Sequence, residues 1–214
     1  MNYDIVIAGG GMIGTSLACA LAPLSLRVAI VEPVSRTATA QPSFDDRSTA
    51  LSRSTQRMYE AMHLWDDIVA AATPVKRIHV SDQGRFGFSH IAAAEQQVEA
   101  LGYVVINRVL GSVLQRALDE VPNLDILCPA KITHAQFGPD NARVVVQHDD
   151  GKEQTLACKL LVAADGANSS VRDMIGIAAK KIRYGQRAIV GNLLPEKSLE
   201  SCAYERFTQH GPLA

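Results

Sequence analysis

The chain has 214 residues, of which 47% are hydrophobic and 20% are charged, a composition typical of folded globular proteins rather than of disordered ones. Its 21 Lys and Arg residues nearly balance 22 Asp and Glu residues, and a net charge of −1 creates no field that would attract nucleic acid. We therefore exclude nucleic acid as a partner.

The four cysteines lie far apart and form no C-x-x-C pair. This spacing indicates reduced, mostly buried thiols rather than a disulfide framework or a zinc site. The start of the chain lacks the basic residues and the long apolar stretch of a signal peptide, and no apolar run reaches transmembrane length. We therefore expect a cytoplasmic protein.

The first elements in chain order predict a strand, a helix and a second strand. Ile5 to Ala8 is a continuous apolar run that ends in glycines, which is typical of a parallel strand covered on both faces. Helical spacing follows over residues 12–22, and a second mostly apolar run, residues 27–31, closes on Glu32. Together these elements form a βαβ unit.

The middle of the chain predicts a change of architecture. Residues 33–44 have no period and are interpreted as a loop, whereas residues 48–72 have helical periodicity. Residues 77–91 alternate in segments broken by glycine, which indicates antiparallel strands of a second domain.

The second half of the chain predicts one helix within residues 104–121 and then mainly strands. A hairpin turn is expected at Asp149-Asp150-Gly151, and a short helix is expected from Ser169 to Ile175. Residues 160–164 are interpreted as another buried parallel strand. Further strands are predicted near residue 126 and over residues 132–137, 144–147, 154–157, 188–193 and 203–207.

The segment Gly9-Gly10-Gly11-Met12-Ile13-Gly14 matches G-x-G-x-x-G and lies between a predicted strand and a predicted helix. Gly9 permits the tight turn, Gly11 lets backbone N–H groups approach a pyrophosphate, and Gly14 allows close packing of the helix. The helix N-terminus adds partial positive charge. The pattern therefore predicts a phosphate-binding turn.

Glu32 ends the second strand, where a carboxylate can accept hydrogen bonds from a ribose diol. The glycines and Glu32 together indicate an adenine dinucleotide. They do not separate FAD from NAD.

Three further segments resemble motifs of the class A flavoprotein monooxygenases. Residues 163–172 resemble the Asp-Gly motif, whose aspartate helps to hold the flavin and which is also implicated in binding pyridine nucleotide; here that aspartate is Asp165. The segment around Arg47 resembles one whose arginine approaches the cofactor, and the segment around Arg108 resembles a helix start whose arginine meets the pyrophosphate. Guanidinium groups suit phosphate because they are permanently charged and planar.

Within that family, residues 84–88, 101–105 and 204–214 resemble the bacterial 2-octaprenyl-6-methoxyphenol hydroxylases, and the likeness extends over essentially the whole chain. It implies hydroxylation of a prenylated phenol in ubiquinone biosynthesis, with FAD as cofactor, NAD(P)H as electron donor and molecular oxygen as co-substrate. It also implies peripheral contact with the inner membrane or with a ubiquinone-biosynthesis complex.

The resemblance also predicts how the chain is organised. We expect an α/β fold, a Rossmann-like FAD/NAD(P)-binding domain with a parallel sheet, joined to part of an antiparallel-sheet substrate domain. Family members continue well beyond Ala214, with a second Gly-Asp motif and a glycine-rich loop beside the flavin ring, so we expect a fragment that is inactive alone. The expected segments are a first FAD-binding part over 1–74, substrate-domain strands over 75–100, a second FAD-binding part over 101–180 and the start of the substrate sheet over 181–214.

The candidate cofactor contacts are Gly9, Gly11, Gly14, Glu32, Arg47, Arg108 and Asp165. No catalytic acid or base can be named, and the six histidines show no metal-ligand spacing, so no metal site is expected. Two alternatives stay open. An NAD-linked dehydrogenase shares the glycine motif but does not account for the Asp-Gly segment, and the chain can also be a non-catalytic subunit of a biosynthetic complex.

Overall fold

A computed structural model describes residues 2–36 and 44–214. The predicted loop over residues 33–44 therefore lies partly outside the described residues. The helices are α1 (Met12–Leu21), α2 (Arg53–Ala61), α3 (Trp65–Val69), α4 (Asn107–Leu118) and α5 (Ser170–Met174). The strands are β1 (Asn2–Ala8), β2 (Val28–Val31), β3 (Ser48–Ser52), β4 (Thr73–Val75), β5 (Arg77–Asp82), β6 (Phe88–Ala92), β7 (Gly102–Ile106), β8 (Leu124–Leu127), β9 (Ala130–Phe137), β10 (Ala142–His148), β11 (Glu153–Ala163), β12 (Cys202–Thr208) and β13 (Gly211–Leu213).

The chain forms two compact units, each made of two separate segments. The first unit comprises Met1–Asp45 and Leu110–Ile189, and the second comprises Asp46–Val109 and Val190–Ala214. One boundary between them falls inside α4. The assignment of segments to FAD-binding and substrate roles stays a prediction.

The first unit is built on a six-stranded sheet with the order β8-β2-β1-β11-β10-β9. Strands β8, β2, β1 and β11 are parallel, and β10 and β9 extend the sheet in antiparallel fashion. Strand β1 leads through α1 to its parallel neighbour β2, so the predicted βαβ unit is confirmed. The α/β fold with a parallel sheet is confirmed as well.

The apolar runs of the sequence form the core of this unit. All four residues of β2 are buried, and Val6, Ile7 and Ala8 of β1 are buried beside them. Strands with no polar face of this kind are stable only when both faces are covered. Helix α4 buries four of the five apolar residues that helical spacing places on one face, Leu110, Val113, Leu114 and Leu118, whereas the fifth, Ala117, is half-buried.

Strand β11 differs from the prediction in two ways. Residues 154–157 and 160–164 were expected to form two strands, but a single strand runs from Glu153 to Ala163. Its far end is also not buried, since Leu160 is 52% exposed. The ladder with β10 ends at the pair Ala142–Cys158, so among the described strands the last residues of β11 have a hydrogen-bonded neighbour only in β1.

The second unit contains two smaller sheets, with the orders β13-β12-β5-β6 and β3-β7-β4. Strands β5 and β6 are antiparallel, as predicted, and β12 joins β5 in parallel. The predicted helix over residues 48–72 is wrong at its start, because Ser48–Ser52 pairs with β7 as an antiparallel strand. Helical spacing in this short segment is overridden by a partner some fifty residues further along the chain.

The predicted strand over residues 188–193 is also wrong. These residues form no strand in the described structure, and Ile189 and Leu193 are almost fully exposed. A strand needs a hydrogen-bonding partner, and within the described ranges no neighbouring strand pairs with this segment.

None of the helices formed by residues 2–36 and 44–214 is long and apolar enough to span a membrane.

Candidate cofactor-binding site

The site lies at the carboxyl ends of three neighbouring parallel strands. Ala8 at the end of β1 pairs with Val31 of β2 on one side and with Ala163 of β11 on the other. The residues that follow these strands, including Gly9, Glu32 and Asp165, therefore emerge at the same edge of the sheet. In open α/β sheets this edge is where ligands bind.

Gly9 needs to be glycine for two reasons. Its φ of +103° lies in a region that L side chains rarely adopt. In addition, a Cβ at Gly9 would lie 2.5 Å from the carbonyl oxygen of Ala164 and 3.0 Å from the Cα of Asp165. The glycine turn and the Asp-Gly turn are thus in close contact.

Gly14 and Gly11 set the position of α1. A Cβ at Gly14 would overlap the carbonyl oxygen of Gly9, so only glycine lets the helix pack this closely on the turn. Gly11 is the N-cap residue of α1 and has extended backbone, and no side chain caps the helix at this end. The first N–H groups of α1 are therefore not bonded by a capping side chain and can bind an anion.

The carboxylate of Glu32 is held by two backbone donors. Gly10 N–H donates to Oε2 at 2.6 Å, and Val34 N–H donates to Oε1 at 2.8 Å. An ionised carboxylate has about four acceptor positions, so these two bonds leave capacity for a ribose diol. A Cβ at Gly10 would lie only 2.9 Å from the Cβ of Glu32, which explains the middle glycine of the motif.

A narrow cleft of about 10 Å³, with room for about one water molecule, lies beside Glu32. Its apolar wall includes Ile30, Ile126 and Leu118, and its polar rim includes Arg36. The guanidinium of Arg36 donates to Asp119 Oδ1 at 2.8 Å and to the carbonyl oxygen of Gln115 at 2.9 Å, which fixes its position.

Cys128 also lines this cleft as a thiol. Its Sγ donates to the carbonyl oxygen of Val34 at 3.1 Å. Burial raises the pKa of the Cys128 thiol. All four cysteines are unpaired, and burial also raises the pKa of Cys19, to about 11. Neutral thiols of this kind pack as small apolar groups.

The carboxylate of Asp165 has one oxygen that accepts hydrogen bonds and one that has no partner among the described residues. Its Oδ2 accepts from Ser170 Oγ and from Val171 N–H, both at 3.2 Å. Its Oδ1 is buried and has no hydrogen-bond partner among the described residues. Burial raises the pKa of Asp165, but hydrogen bonds from Ser169, Val171 and Ser170 outweigh it and hold the pKa below its ordinary value.

The turn that carries Asp165 is fixed by the start of α5. Ser169 is the N-cap residue, and its Oγ accepts from Arg172 N–H at 3.0 Å. The guanidinium of Arg172 donates to the carbonyl oxygen of Ala167 at 3.0 Å, within the same turn. The short helix predicted from Ser169 to Ile175 is confirmed as α5, which begins one residue later because Ser169 is its N-cap residue.

Arg47 and Arg108 belong to the second unit, where they lie near each other. Arg47 precedes β3 and its carbonyl oxygen accepts from Asn107 N–H at 2.8 Å, next to Arg108 at the start of α4. Arg108 Nε donates to Asp46 Oδ1 at 2.8 Å in an exposed ion pair. The structure thus groups the five contacts of the first unit together and these two arginines together. Their role toward a cofactor stays a prediction.

The residues of the first unit fit an adenine dinucleotide. The glycine turn has no room for side chains and leaves an uncapped helix end for a pyrophosphate. Glu32 has spare acceptor capacity for a ribose, and the orphaned Oδ1 of Asp165 is a buried acceptor that a cofactor hydroxyl would satisfy. The fold and site define a protein that binds an adenine dinucleotide.

The chain belongs to the FAD binding domain family, whose profile matches residues 2–208. FAD is therefore the cofactor, which resolves the choice between FAD and NAD that the glycines and Glu32 left open. Over 211 residues the chain is 36% identical to ubiquinone hydroxylase UbiL of Rhodospirillum rubrum, covering 99% of this chain and 48% of the relative. It is 30% identical over 223 residues to 3-demethoxyubiquinol 3-hydroxylase of Escherichia coli, covering 99% of this chain and 53% of the relative. The chain spans about half the length of the curated relatives it matches.

Solved structures show the same fold. The p-nitrophenol 4-monooxygenase PnpA from Pseudomonas putida matches 81% of this chain and 43% of its own with a TM-score of 0.68 and 23% identity. The flavin-dependent monooxygenase PieE, solved with FAD and substrate, matches 82% of this chain and 32% of its own with a TM-score of 0.69 and 18% identity.

Sequence reasoning missed several residues around Glu32. Gly10 occupies a variable position of the motif, and only the structure shows that its N–H holds the Glu32 carboxylate. Arg36 lies in a segment without periodicity, and its contacts with α4 are some eighty residues away in sequence. No local pattern signals a contact of that range.

Proposed function

We propose that this chain is the FAD-binding part of a flavoprotein monooxygenase that hydroxylates a prenylated phenol in ubiquinone biosynthesis, with NAD(P)H as electron donor and molecular oxygen as co-substrate. The observation that carries the proposal is the match over nearly the whole chain to ubiquinone hydroxylase UbiL at 36% identity. The geometry at the ends of β1, β2 and β11 supports it, because this edge combines a phosphate turn, a ribose acceptor and an orphaned carboxylate oxygen.

The residues of the chain divide the work of holding FAD by chemistry. Gly9, Gly11 and Gly14 bring backbone N–H groups and the α1 N-terminus to the pyrophosphate. Glu32, oriented by two backbone donors, accepts from the adenosine ribose. Asp165 accepts a hydroxyl nearer the flavin through its orphaned oxygen.

Arg47 and Arg108 complete the proposed set as phosphate-facing cations. When bound, FAD supplies the redox chemistry, carrying electrons from the pyridine nucleotide to molecular oxygen. The described residues supply binding and orientation. The low pKa of Asp165 keeps its carboxylate ionised at neutral pH, so it serves as an acceptor and not as a proton donor.

The proposal includes a route for an apolar substrate. A prenyl tail leaves water readily, so we place the enzyme in peripheral contact with the inner membrane or with a ubiquinone-biosynthesis complex. The names of the relatives, which refer to ubiquinone and demethoxyubiquinol, support a substrate of this class.

The test has two stages. The protein is incubated with excess FAD, freed of unbound FAD and examined for flavin absorption bands. The whole protein encoded by the gene is then given NADPH, isotopically labelled molecular oxygen and an ortho-prenylphenol, and the products are weighed by mass spectrometry. We expect bound flavin and one labelled oxygen atom in the phenol. Bound flavin without oxygen transfer would refute the hydroxylase assignment, and protection by NAD without flavin binding would favour a dehydrogenase.

A further inference from the structure

The chain that follows β2 passes beside the carboxylate of Glu32. Val34 N–H donates one of the two backbone hydrogen bonds that this carboxylate accepts, at 2.8 Å. The other donor, Gly10, belongs to the tightly packed glycine turn. Val34 lies outside the strand, and no backbone–backbone hydrogen bond to another described residue holds it. The position of this donor therefore depends on side-chain contacts with residues 34–36, which we call the Val34 segment.

The thiol of Cys128 makes the first of these contacts. The register of β2 with β8 places Val31 beside Leu127, so the residues that follow the two strands continue side by side. The Sγ of Cys128 donates to the carbonyl oxygen of Val34 at 3.1 Å. Burial raises the pKa of this thiol, and the backbone N–H of Arg36, which faces the same sulfur, lowers it in part. The thiol thus contacts both ends of the Val34 segment.

The guanidinium of Arg36 makes the second contact, with the end of α4. It donates to Asp119 Oδ1 at 2.8 Å and to the carbonyl oxygen of Gln115 at 2.9 Å. Gln115 is one of the last four residues of α4, whose carbonyl oxygens lack partners within a helix, and a cation is favourable at this end. The side chain of Arg36 is only 35% exposed. The Val34 segment is therefore attached to a helix end by a charge-assisted contact.

We infer that Arg36 and Cys128 are positioning residues for Glu32, the proposed acceptor of the FAD ribose. They hold the Val34 segment from two sides, so that the N–H of Val34 keeps the carboxylate in one orientation before FAD binds. A side chain that is already ordered loses less conformational entropy on binding. The inference rests on the role of Glu32 in the proposed function.

Flavin fluorescence titration of the purified protein with FAD tests the role of Arg36. Arg36→Met keeps the apolar stem and removes the donors, and we expect it to weaken FAD binding by roughly fivefold. Asp119→Ala should weaken binding in the same direction, because the guanidinium remains but loses its ion-pair partner. Unchanged or tighter binding by Asp119→Ala would overturn the positioning role of Arg36. The matched control is Arg116→Met, which removes another cation from the last turn of α4 and should change FAD affinity by less than about twofold.

Cys128 offers a test that does not alter the end of α4. Cys128→Ala removes the donor to Val34, whereas Cys128→Ser keeps a hydroxyl that can donate. We expect Cys128→Ser to bind FAD more tightly than Cys128→Ala. A role in packing alone gives the opposite order, because a hydroxyl is less favourable than a methyl group in an apolar site. That opposite order would overturn the positioning role of Cys128.

A double-mutant cycle shows whether the two residues act through Glu32. In a Glu32→Ala background, Arg36→Met and Cys128→Ala should each weaken FAD binding further by less than about twofold. Losses as large as those in the parent protein would overturn the inference, because the two residues would then act on FAD by another route. Circular dichroism melts without FAD define a temperature at which every variant is folded, and the titrations are made there.

The outcomes separate this inference from the proposed function. Additive losses combined with weakened FAD binding by Glu32→Ala would overturn the positioning roles and leave Glu32 as a cofactor contact. Full FAD affinity in Glu32→Ala would overturn both this inference and the proposed role of Glu32. Oxygen transfer to the phenol is measured separately on the whole protein, so neither result decides the hydroxylase assignment.

Discussion

Replacing Glu32 by Gln tests how the carboxylate at the end of β2 is held. The carboxylate accepts one N–H from Gly10 and one from Val34. The amide of Gln keeps one oxygen acceptor but presents an NH2 group to the other backbone N–H. One charge-assisted hydrogen bond is therefore lost and two donors face each other.

Hydrogen bonds to charged groups contribute about 1.5 to 3 kcal/mol each, and half-buried groups fall at the lower end because water can replace part of the loss. We therefore expect Glu32→Gln to lower the free energy of unfolding of the FAD-free protein by about 1.5 kcal/mol. A further loss of the ribose contact should weaken FAD binding by roughly tenfold or more.

The assay is urea unfolding followed by circular dichroism without FAD, and then flavin fluorescence titration with FAD. Glu120→Gln is the matched control, because Glu120 is an exposed residue just beyond α4. A variant that unfolds at the same urea concentration as the parent protein would show that the two backbone bonds do not stabilise the turn. Unchanged FAD affinity in that variant would remove Glu32 from the proposed cofactor contacts.

Three further predictions concern Gly14, Ser169 and Cys19, which belong to the same unit. Gly14→Ala should lower the melting temperature and abolish FAD retention, because the new Cβ would overlap a backbone oxygen. The control Gly191→Ala, with open space around the new Cβ, should change neither. Equal melting curves for the two variants would contradict this prediction. Ser169→Ala should cost about 1 kcal/mol of stability through loss of the helix cap and should raise the pKa of Asp165, measured by NMR titration. The folded pKa of Asp165 is depressed, so its carboxylate stabilises the fold above its unfolded pKa of about 3.9, and this stabilisation is lost as the pH falls through the folded pKa. Because Ser169→Ala makes the depression smaller, the urea midpoint of this variant should fall less steeply than that of the parent protein below about pH 4. Cys19, with a pKa of about 11, should react with a thiol reagent at pH 8 only after unfolding, and rapid labelling of the native protein would refute its burial.

The sequence predicts best those elements whose pattern of apolar residues and glycines lies within one short stretch of the chain. The glycine turn, α1 and β2 were predicted because apolar runs, helical spacing and glycines all agree within the first thirty-two residues. The same holds for the helix within residues 104–121 and for the short helix that follows Ser169. In each case one short stretch contains the whole signal.

The errors arise where pairing decides the structure. Ser48–Ser52 has helical spacing but becomes a strand because β7 provides a partner. Residues 188–193 have strand-like composition but find no partner among the described residues. Arg36 reaches the cleft beside Glu32 through contacts with α4 that are distant in sequence. Such contacts depend on the fold and cannot be inferred from a window of neighbouring residues.

The contact between the glycine turn and Asp165 has a consequence for synthesis of the protein. Gly9 leaves the ribosome well before β11 and Asp165, which follow only after the inserted second-unit segment has been made. Contacts between distant parts of a chain form slowly because a long loop must close first. Until β11 inserts beside β1, the nascent chain exposes the apolar edge of β1 and has only part of its cofactor pocket. FAD capture is then a late event that locks the finished sheet, and cells short of flavin should accumulate this protein in a form sensitive to proteases.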